Sequence, residues 1–210
     1  MTAQVQEPLN IGVLISGSGS NLQSLIDHIE EGTLSAKISL VVSSRPDAFG
    51  IERAKKAGIP VLVMNREAYA DTSAANQRIA DALKEAGAEY VVMAGYMRMV
   101  TVEILDAFPD RVVNLHPALL PSFKGAHAIE DAYNFGVKVT GVTVHFANAD
   151  YDKGPIIAQQ PVEVREGEPI EALEERIHSV EHELYPHVIQ LLAEGRVDVC
   201  PETRKVHISS

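Results

Sequence analysis

The chain has 210 residues, 29 acidic against 18 basic side chains, and a net charge of −11. That length suits one domain with a sizeable core, and the acidic balance argues against a general nucleic-acid binder, which needs a basic face. A single cysteine, Cys200, excludes an internal disulfide and a Cys-rich zinc site, and the polar start at Met1–Asn10 with no long apolar run excludes a signal core or membrane span.

Leu9–Ile15 is a near-continuous apolar run, the mark of a strand buried on both faces, and it ends in Ser16-Gly17-Ser18-Gly19-Ser20-Asn21. Leu22, Leu25, Ile26 and Ile29 follow at helical spacing, so this Gly-rich turn opens a helix. Ile38–Val42 reads as the second strand, Phe49–Ala57 as a helix stopped by Gly58, and Val61–Met64 as the third strand. Ile79 and Leu83 mark the next helix, and Tyr90–Ala94 is the fourth strand. A short helix at Val102–Phe108 leads to a fifth strand, Arg111–Leu115. This alternation predicts an α/β fold with a doubly wound, mostly parallel sheet. Lys138–Phe146 and Ile156–Val164 are Val/Thr-rich and read as strands added to that sheet, antiparallel being open to them. A long helix is expected from about Pro169 to Ala193, with Leu173, Ile177, Val180, Leu184, Val188 and Leu191 on one stripe. Pro186 should kink it or split it in two, and Gly195 is a natural end. Residues 1–8 and Pro201–Ser210 are expected as tails or an edge addition to a domain covering 1–210.

Two places carry chemistry. The Gly17–Asn21 turn offers backbone amides and a helix N-terminus, an anion site whose natural guest is phosphate. It is not a dinucleotide fingerprint: Leu22 stands where the third glycine belongs, and the second strand ends in Ser43-Ser44-Arg45 with no acid for a ribose. The second place is Asn114-Leu115-His116-Pro117. Residues i and i+2 of a strand share a face, so the Asn114 amide and His116 imidazole can aim at one point beyond the strand end. Asp152, in Asp150-Tyr151-Asp152-Lys153-Gly154-Pro155, can bring a carboxylate to them. Taken singly, each residue also fits a bland role: Asn114 as a cap, His116 as a packed histidine, Asp152 as a turn former. His145 reads equally as a site residue or a satisfied core histidine. Met93, Met97 and Met99 read more readily as core than as ligand contacts. His178 and His182 have metal-chelating spacing, but no further ligand accompanies them, so no metal is expected.

Six segments in this order carry a resemblance. They are Ile15–Gln23, Ala94-Gly95-Tyr96-Met97-Arg98, Asn114-Leu115-His116-Pro117-Ala118-Leu119-Leu120-Pro121, Gly141–Phe146, Asp152-Lys153-Gly154-Pro155 and Glu181-His182-Glu183-Leu184-Tyr185-Pro186. The chain resembles the phosphoribosylglycinamide formyltransferases, the folate-dependent enzymes of purine synthesis, over nearly its whole length. The resemblance implies a Rossmann-like formyltransferase fold and transfer of a formyl group from 10-formyltetrahydrofolate, as co-substrate, to the primary amine of glycinamide ribonucleotide. It implies Asn114, His116 and Asp152 as the catalytic trio. Gly19, Ser20 and Asn21 would hold the substrate phosphate, and Glu181 the glycinamide end. Met97, Arg98, Met99, Val100, Asn148, Ala149, Asp150 and Tyr151 would line the folate pocket. A cytoplasmic enzyme without metal, nucleic acid or membrane partner follows, with a homodimer left open. In that chemistry Asn114 and a protonated His116 would donate to the oxyanion, and Asp152 or water would relay the proton.

Three departures stand out. Lys153 occupies a position where the family often has glycine, and Ile129 one where it often has histidine. Arg66 matches a folate-site arginine in letters but not in offset, and it is left out of the expected site. Three other readings compete. A methionyl-tRNA formyltransferase would add a basic C-terminal domain for RNA, whereas this chain is acidic and ends at Ser210. A formyltetrahydrofolate deformylase would carry a regulatory domain before the first strand, whereas about eight residues precede Leu9 here. In a non-catalytic phosphate- or nucleotide-binding module, Asn114, His116 and Asp152 would not converge.

Overall fold

In the computed structural model, which describes residues 7–209, seven strands form one sheet in the order β3-β2-β1-β4-β5-β6-β7. The strands are β1 (Leu9–Ile15), β2 (Ala36–Ser43), β3 (Val61–Val63), β4 (Tyr90–Met93), β5 (Val112–His116), β6 (Val139–Phe146) and β7 (Ile156–Glu163). β1 to β5 pair in parallel, while β6 and β7 are antiparallel additions. The expected doubly wound sheet with added C-terminal strands is therefore the one observed.

Period-two alternation sorts each strand between two cores. On β1, Ile11, Val13 and Ile15 face one cluster, together with Leu22 and Leu25 of helix α1 (Ser20–Glu30). Leu14 faces the other, with Ile79 and Leu83 of α3 (Thr72–Glu85) and Ile104 of α4 (Val102–Ala107). α2 (Gly50–Lys56) follows β2, and α5 (Ala128–Phe135) precedes β6. α3 comes close enough to β1 that a Cβ on Gly12 would lie 2.1 Å from Leu83 Cδ2. β5 alternates likewise: Val113 joins the α1 side and Val112 the α3 side. Asn114 and His116 share the face of Val112. Across the antiparallel pairing they oppose His145 and Thr143.

The C-terminal helix, α6 (Ile170–Ala193), runs unbroken through Pro186, against the expected kink or split. Proline has no N–H for the carbonyl four residues back. That carbonyl, of His182, instead accepts a hydrogen bond from Ser24 Oγ of α1 at 2.7 Å. Tyr185, fully buried beside it, donates its hydroxyl to the carbonyls of Met93 and Val113, 3.0 Å from each. α6 is thus tied to the ends of β4 and β5. The C-terminal segment is not a plain tail: β8 (Val197–Val199) and β9 (Val206–Ile208) form a small antiparallel ribbon. Residues 1–6 of the expected N-terminal tail, and Ser210, lie outside the described residues. Among the described residues no helix is long and apolar enough to cross a membrane.

Candidate active site

The sheet order reverses at β1, with β2 on one side and β4 on the other. Such switch points open a crevice beyond the carboxyl ends of the strands. Two loops flank it, one after β1 and one after β4. A buried serine pair joins them: Met97 N–H donates to Ser16 Oγ at 2.8 Å, and Ser16 Oγ lies 2.6 Å from Ser44 Oγ.

The loop after β1 is built on glycine. Gly19 caps α1 with φ at 70°, and a Cβ there would lie 2.7 Å from Gly50 Cα. Only glycine takes that conformation and approach without strain. Gly50 N–H in turn donates to the Gly17 carbonyl at 3.1 Å. The first-turn amides of a helix have no partner inside it. Here they border a cavity of about 460 Å³ lined by Gly17, Gly19, Ser20, Asn21, His178 and Glu181. Glu181 is buried, contrary to the solvated role a mid-helix carboxylate usually has. Its Oε2 accepts from Asn21 Nδ2 at 3.1 Å and lies 2.9 Å from His178 Nδ1. That bond holds the His178 pKa above the ordinary histidine value. Asn21 Oδ1 is buried with no partner among the described residues, a ready acceptor.

Leu115 and Pro117 line the same cavity, which carries it to the end of β5. There the expected trio converges. Asp152 Oδ2 lies 3.6 Å from His116 Nδ1 and its Oδ1 lies 3.8 Å from His145 Nε2. Asp152 is buried and sits at φ 51°, a left-handed conformation that Asp tolerates better than most residues. Asp152 Oδ2 also accepts from Gly125 N–H at 3.0 Å, and His116 Nε2 lies 2.8 Å from the Phe123 carbonyl. The 123–125 segment therefore holds both groups. Asn114 Nδ2 is 3.1 Å from His145 Nε2, so His145 belongs to the cluster that sequence reasoning left without it. Burial lowers the His145 pKa, against the opposing pull of the Phe146 carbonyl and the Asp152 charge.

Beside Asn114 is a small cavity of about 50 Å³. Arg98, Met99 and Val100 line it from the loop after β4, and Asn148, Ala149 and Tyr151 from the loop before β7. Asn114, His145 and Asp152 line it too. Of the residues expected there, Met97 lies instead on the larger cavity, and Asp150 is exposed beside Lys153 Nζ at 3.5 Å. Met97 and Met99 are not core: both are exposed, and only Met93 is buried. The packing positions of the loop that carries Met97 and Met99 are taken by Tyr96 and Val100.

The loop after β4 has supports that sequence patterning missed. Tyr69 OH lies 2.7 Å from Tyr96 OH, and the Arg98 guanidinium stacks 4.6 Å over the Tyr69 ring. Thr101 N–H donates to Asn76 Oδ1 at 3.3 Å, from a fully buried side chain of α3. None has a sequence signature, since each acts across a tertiary contact. Arg66 is exposed, just before the short 3-10 turn Glu67–Ala70 that carries Tyr69. Lys153 and Ile129 also become legible. A Cβ on Gly154 would lie 1.7 Å from the Phe146 carbonyl oxygen, so glycine is required there, while exposed Lys153 meets no such limit. Ile129 lines the larger cavity and packs beside Leu173 and Ile177.

A family model described as formyl transferase matches residues 9–189. The chain belongs to the formyl transferase family. It is 39% identical over 180 residues to phosphoribosylglycinamide formyltransferase of Bacillus subtilis (strain 168), covering 86% of this chain and 92% of that protein. It is 42% identical over 187 residues to the trifunctional purine biosynthetic protein adenosine-3 of Bos taurus, covering 89% of this chain. The match spans 18% of that longer protein, so the chain corresponds to a fraction of the trifunctional relatives. Its structure is similar to glycinamide ribonucleotide transformylase 1 from Symbiobacterium toebii, with a TM-score of 0.94 and 45% identity, covering 100% of this chain and 98% of that one. The sheet order and the added antiparallel strands thus belong to a formyltransferase architecture.

Proposed function

We propose that the chain transfers the formyl group of 10-formyltetrahydrofolate to the amine of glycinamide ribonucleotide, in the cytoplasm, as a step of purine synthesis. The observation that carries this reading is the placing of two cavities at the end of β5, one lined by Leu115 and Pro117 and the other by Asn114. One is bordered by a helix N-terminus suited to phosphate, and the other lies between two loops suited to a flat heterocycle. The names of the relatives support formyl transfer to the same ribonucleotide.

The chemistry follows from the donors present. The neutral amine attacks the formyl carbon and an oxyanion develops. Asn114 has one amide hydrogen toward His145 and a second available to that oxygen. His116 can add a donor only after its Nε2–H leaves the Phe123 carbonyl, so the 123–125 segment must shift. That shift also takes Gly125 N–H from Asp152, leaving the carboxylate to accept the amine proton directly or through water. The proton then passes to the departing folate nitrogen, and no covalent enzyme intermediate is needed. A cavity of about 50 Å³ is far below the few hundred Å³ a drug-sized ligand fills, so the segments around 97–100 and 148–152 must part to admit a pterin.

The test is formyl transfer followed with and without glycinamide ribonucleotide. Strict dependence of tetrahydrofolate release on the amine supports the transferase. Steady release without it assigns the chain to folate deformylation instead.

A further inference from the structure

The larger cavity contains a charge pair that the formyl-transfer chemistry does not use. His178 and Glu181 sit one turn apart on α6, with Nδ1 to Oε2 at 2.9 Å. Glu181 is buried, whereas the His178 side chain is 51% exposed and lines the cavity. Both partners of Glu181, Asn21 and His178, bond to Oε2. No hydrogen bond reaches Oε1 among the described residues. The carboxylate is therefore clamped through one oxygen and has the other free for a ligand.

The geometry points to His178 as the positioning residue that holds Glu181 in the ribonucleotide site and, through its protonation, makes ribonucleotide binding sensitive to pH. This inference rests on the reading of that cavity as the ribonucleotide site. The physical argument is one of charge. With His178 protonated, the pair presents no net charge to an anionic ligand. With His178 neutral, Glu181 presents one negative charge to a phosphate dianion, inside a chain that is already strongly acidic. The bond to Glu181 raises the His178 pKa, while its burial opposes that rise and Glu174 adds to it. The other charged groups that face this wall are Arg45 from the loop after β2, and His127 and Glu130 at the start of α5. Arg45 lies 2.6 Å from Asp47 and His127 lies 3.4 Å from Glu130, and whatever these pairs contribute is common to the wild type and its His178 variants. His182, on the next turn, has its pKa lowered by burial, the opposite direction to His178. Arg53 of α2 is engaged with the Ser18 carbonyl and Gln23. His178 is left as the group whose charge changes against Glu181.

Calorimetric binding of glycinamide ribonucleotide to the wild type, His178→Lys and His178→Gln, at pH 6.5 and pH 9, tests this. Titration of the ligand's own phosphate and amine is common to all three proteins and cancels in the comparison. The wild type should lose affinity relative to His178→Lys by about fivefold between the two pH values, the effect of one charge on a dianion across roughly 8 Å of water-like dielectric. His178→Gln should track the wild type at pH 9. The dissociation constant for 10-formyltetrahydrofolate should respond equally to pH in all three. Parallel pH dependence of ribonucleotide binding in the three proteins would overturn the inference while leaving the transferase reading intact. No ribonucleotide binding by the wild type at either pH would overturn the site reading, and the inference with it.

Discussion

Asn114 Nδ2 lies 3.1 Å from His145 Nε2, across the antiparallel pairing of β5 and β6. The other ring nitrogen, Nδ1, is 2.9 Å from the Phe146 carbonyl, which only accepts, so Nδ1 carries the hydrogen. With the ring neutral through burial, Nε2 is a bare acceptor, and the Asn114 amide must turn its NH₂ toward it. The second amide hydrogen is thereby aimed by a buried neighbour. Asn114→Ala should lower turnover by roughly 10²–10³, the loss expected for one oxyanion donor. Asn114→Asp, which replaces the donor by an acceptor, should do at least as much harm. Single-turnover rates with saturating substrates check this, and a near-wild-type rate for Asn114→Ala would remove it from the chemistry.

Asp152 stands between two imidazoles, 3.6 Å from His116 and 3.8 Å from His145. Asp152→Asn keeps the shape and tolerates the same left-handed backbone, but it cannot take a proton. Turnover should fall about 10²-fold or more, the size of a lost general acid–base group. Dissociation constants for both substrates should stay close to wild type. His116→Ala and Asn114→Ala should combine less than additively, because both donors serve one oxygen. Rates and binding constants for the singles and the double decide it. Full additivity would mean that the two residues act on different atoms.

Gly19 has a different role, since both its backbone angle and its neighbour exclude a side chain. Gly19→Val should push Gly50 and α2 away and weaken ribonucleotide binding at least tenfold. It should also destabilise the fold by about 1–3 kcal/mol, the usual cost of a strained left-handed residue. Binding of 10-formyltetrahydrofolate should be affected least. Calorimetry with each substrate separates the outcomes, and an unchanged ribonucleotide affinity would show that the turn holds no phosphate.

The parts of the fold legible in the sequence were those set by periodicity. The parallel strands, the helix that opens after Gly19 and the long stripe on α6 all follow from apolar spacing. The juxtaposition of Asn114 and His116 was legible as well, because two residues of one strand share a face. What stayed hidden were partners brought in from elsewhere in the chain. His145 joins Asn114 only through strand register, Tyr69 reaches Tyr96 and Arg98 from a short turn, and Ser24 rescues Pro186 from a different helix. A proline rule counts hydrogen bonds within one helix, and the missing bond here is supplied from outside it.

Burial of His145 and the bond from His178 to Glu181 set opposing pH trends in stability. The His145 pKa is lowered in the fold, so below about 6.5, the unfolded value, the unfolded chain binds more protons than the folded one. Stability should therefore fall as pH drops from about 6.5 toward the folded value. His182, also lowered by burial, adds to this. The His178 pKa is raised, so its contribution is fully present below about 6.5 and is lost as pH rises through its folded value. Denaturant midpoints from pH 5 to pH 8.5 check both signs. His145→Gln should flatten the acid side of the profile, and His178→Gln should flatten the part above about 6.5. Profiles that match the wild type in both variants would contradict this assignment.

The bond from Ser24 to the His182 carbonyl makes a conditional prediction about α6. In the wild type that carbonyl has no helical donor, because Pro186 stands where the N–H belongs. Ser24→Ala should leave it part-buried and unpaired, at a cost of up to about 1–3 kcal/mol. In a Pro186→Ala background the new backbone N–H can serve the same carbonyl, so Ser24→Ala should cost distinctly less. A double-mutant cycle from urea unfolding measures the difference, with a coupling of about 1 kcal/mol or more expected between two residues that share one acceptor. The activity readout is separate. Tyr185 is adjacent to the proline and Glu181 lies five residues before it, so a helix that bends when Ser24 is lost should also shift ribonucleotide binding. Equal costs for Ser24→Ala in the two backgrounds would mean that the helix passes the proline by some other means, and that the Ser24 hydroxyl is incidental to it.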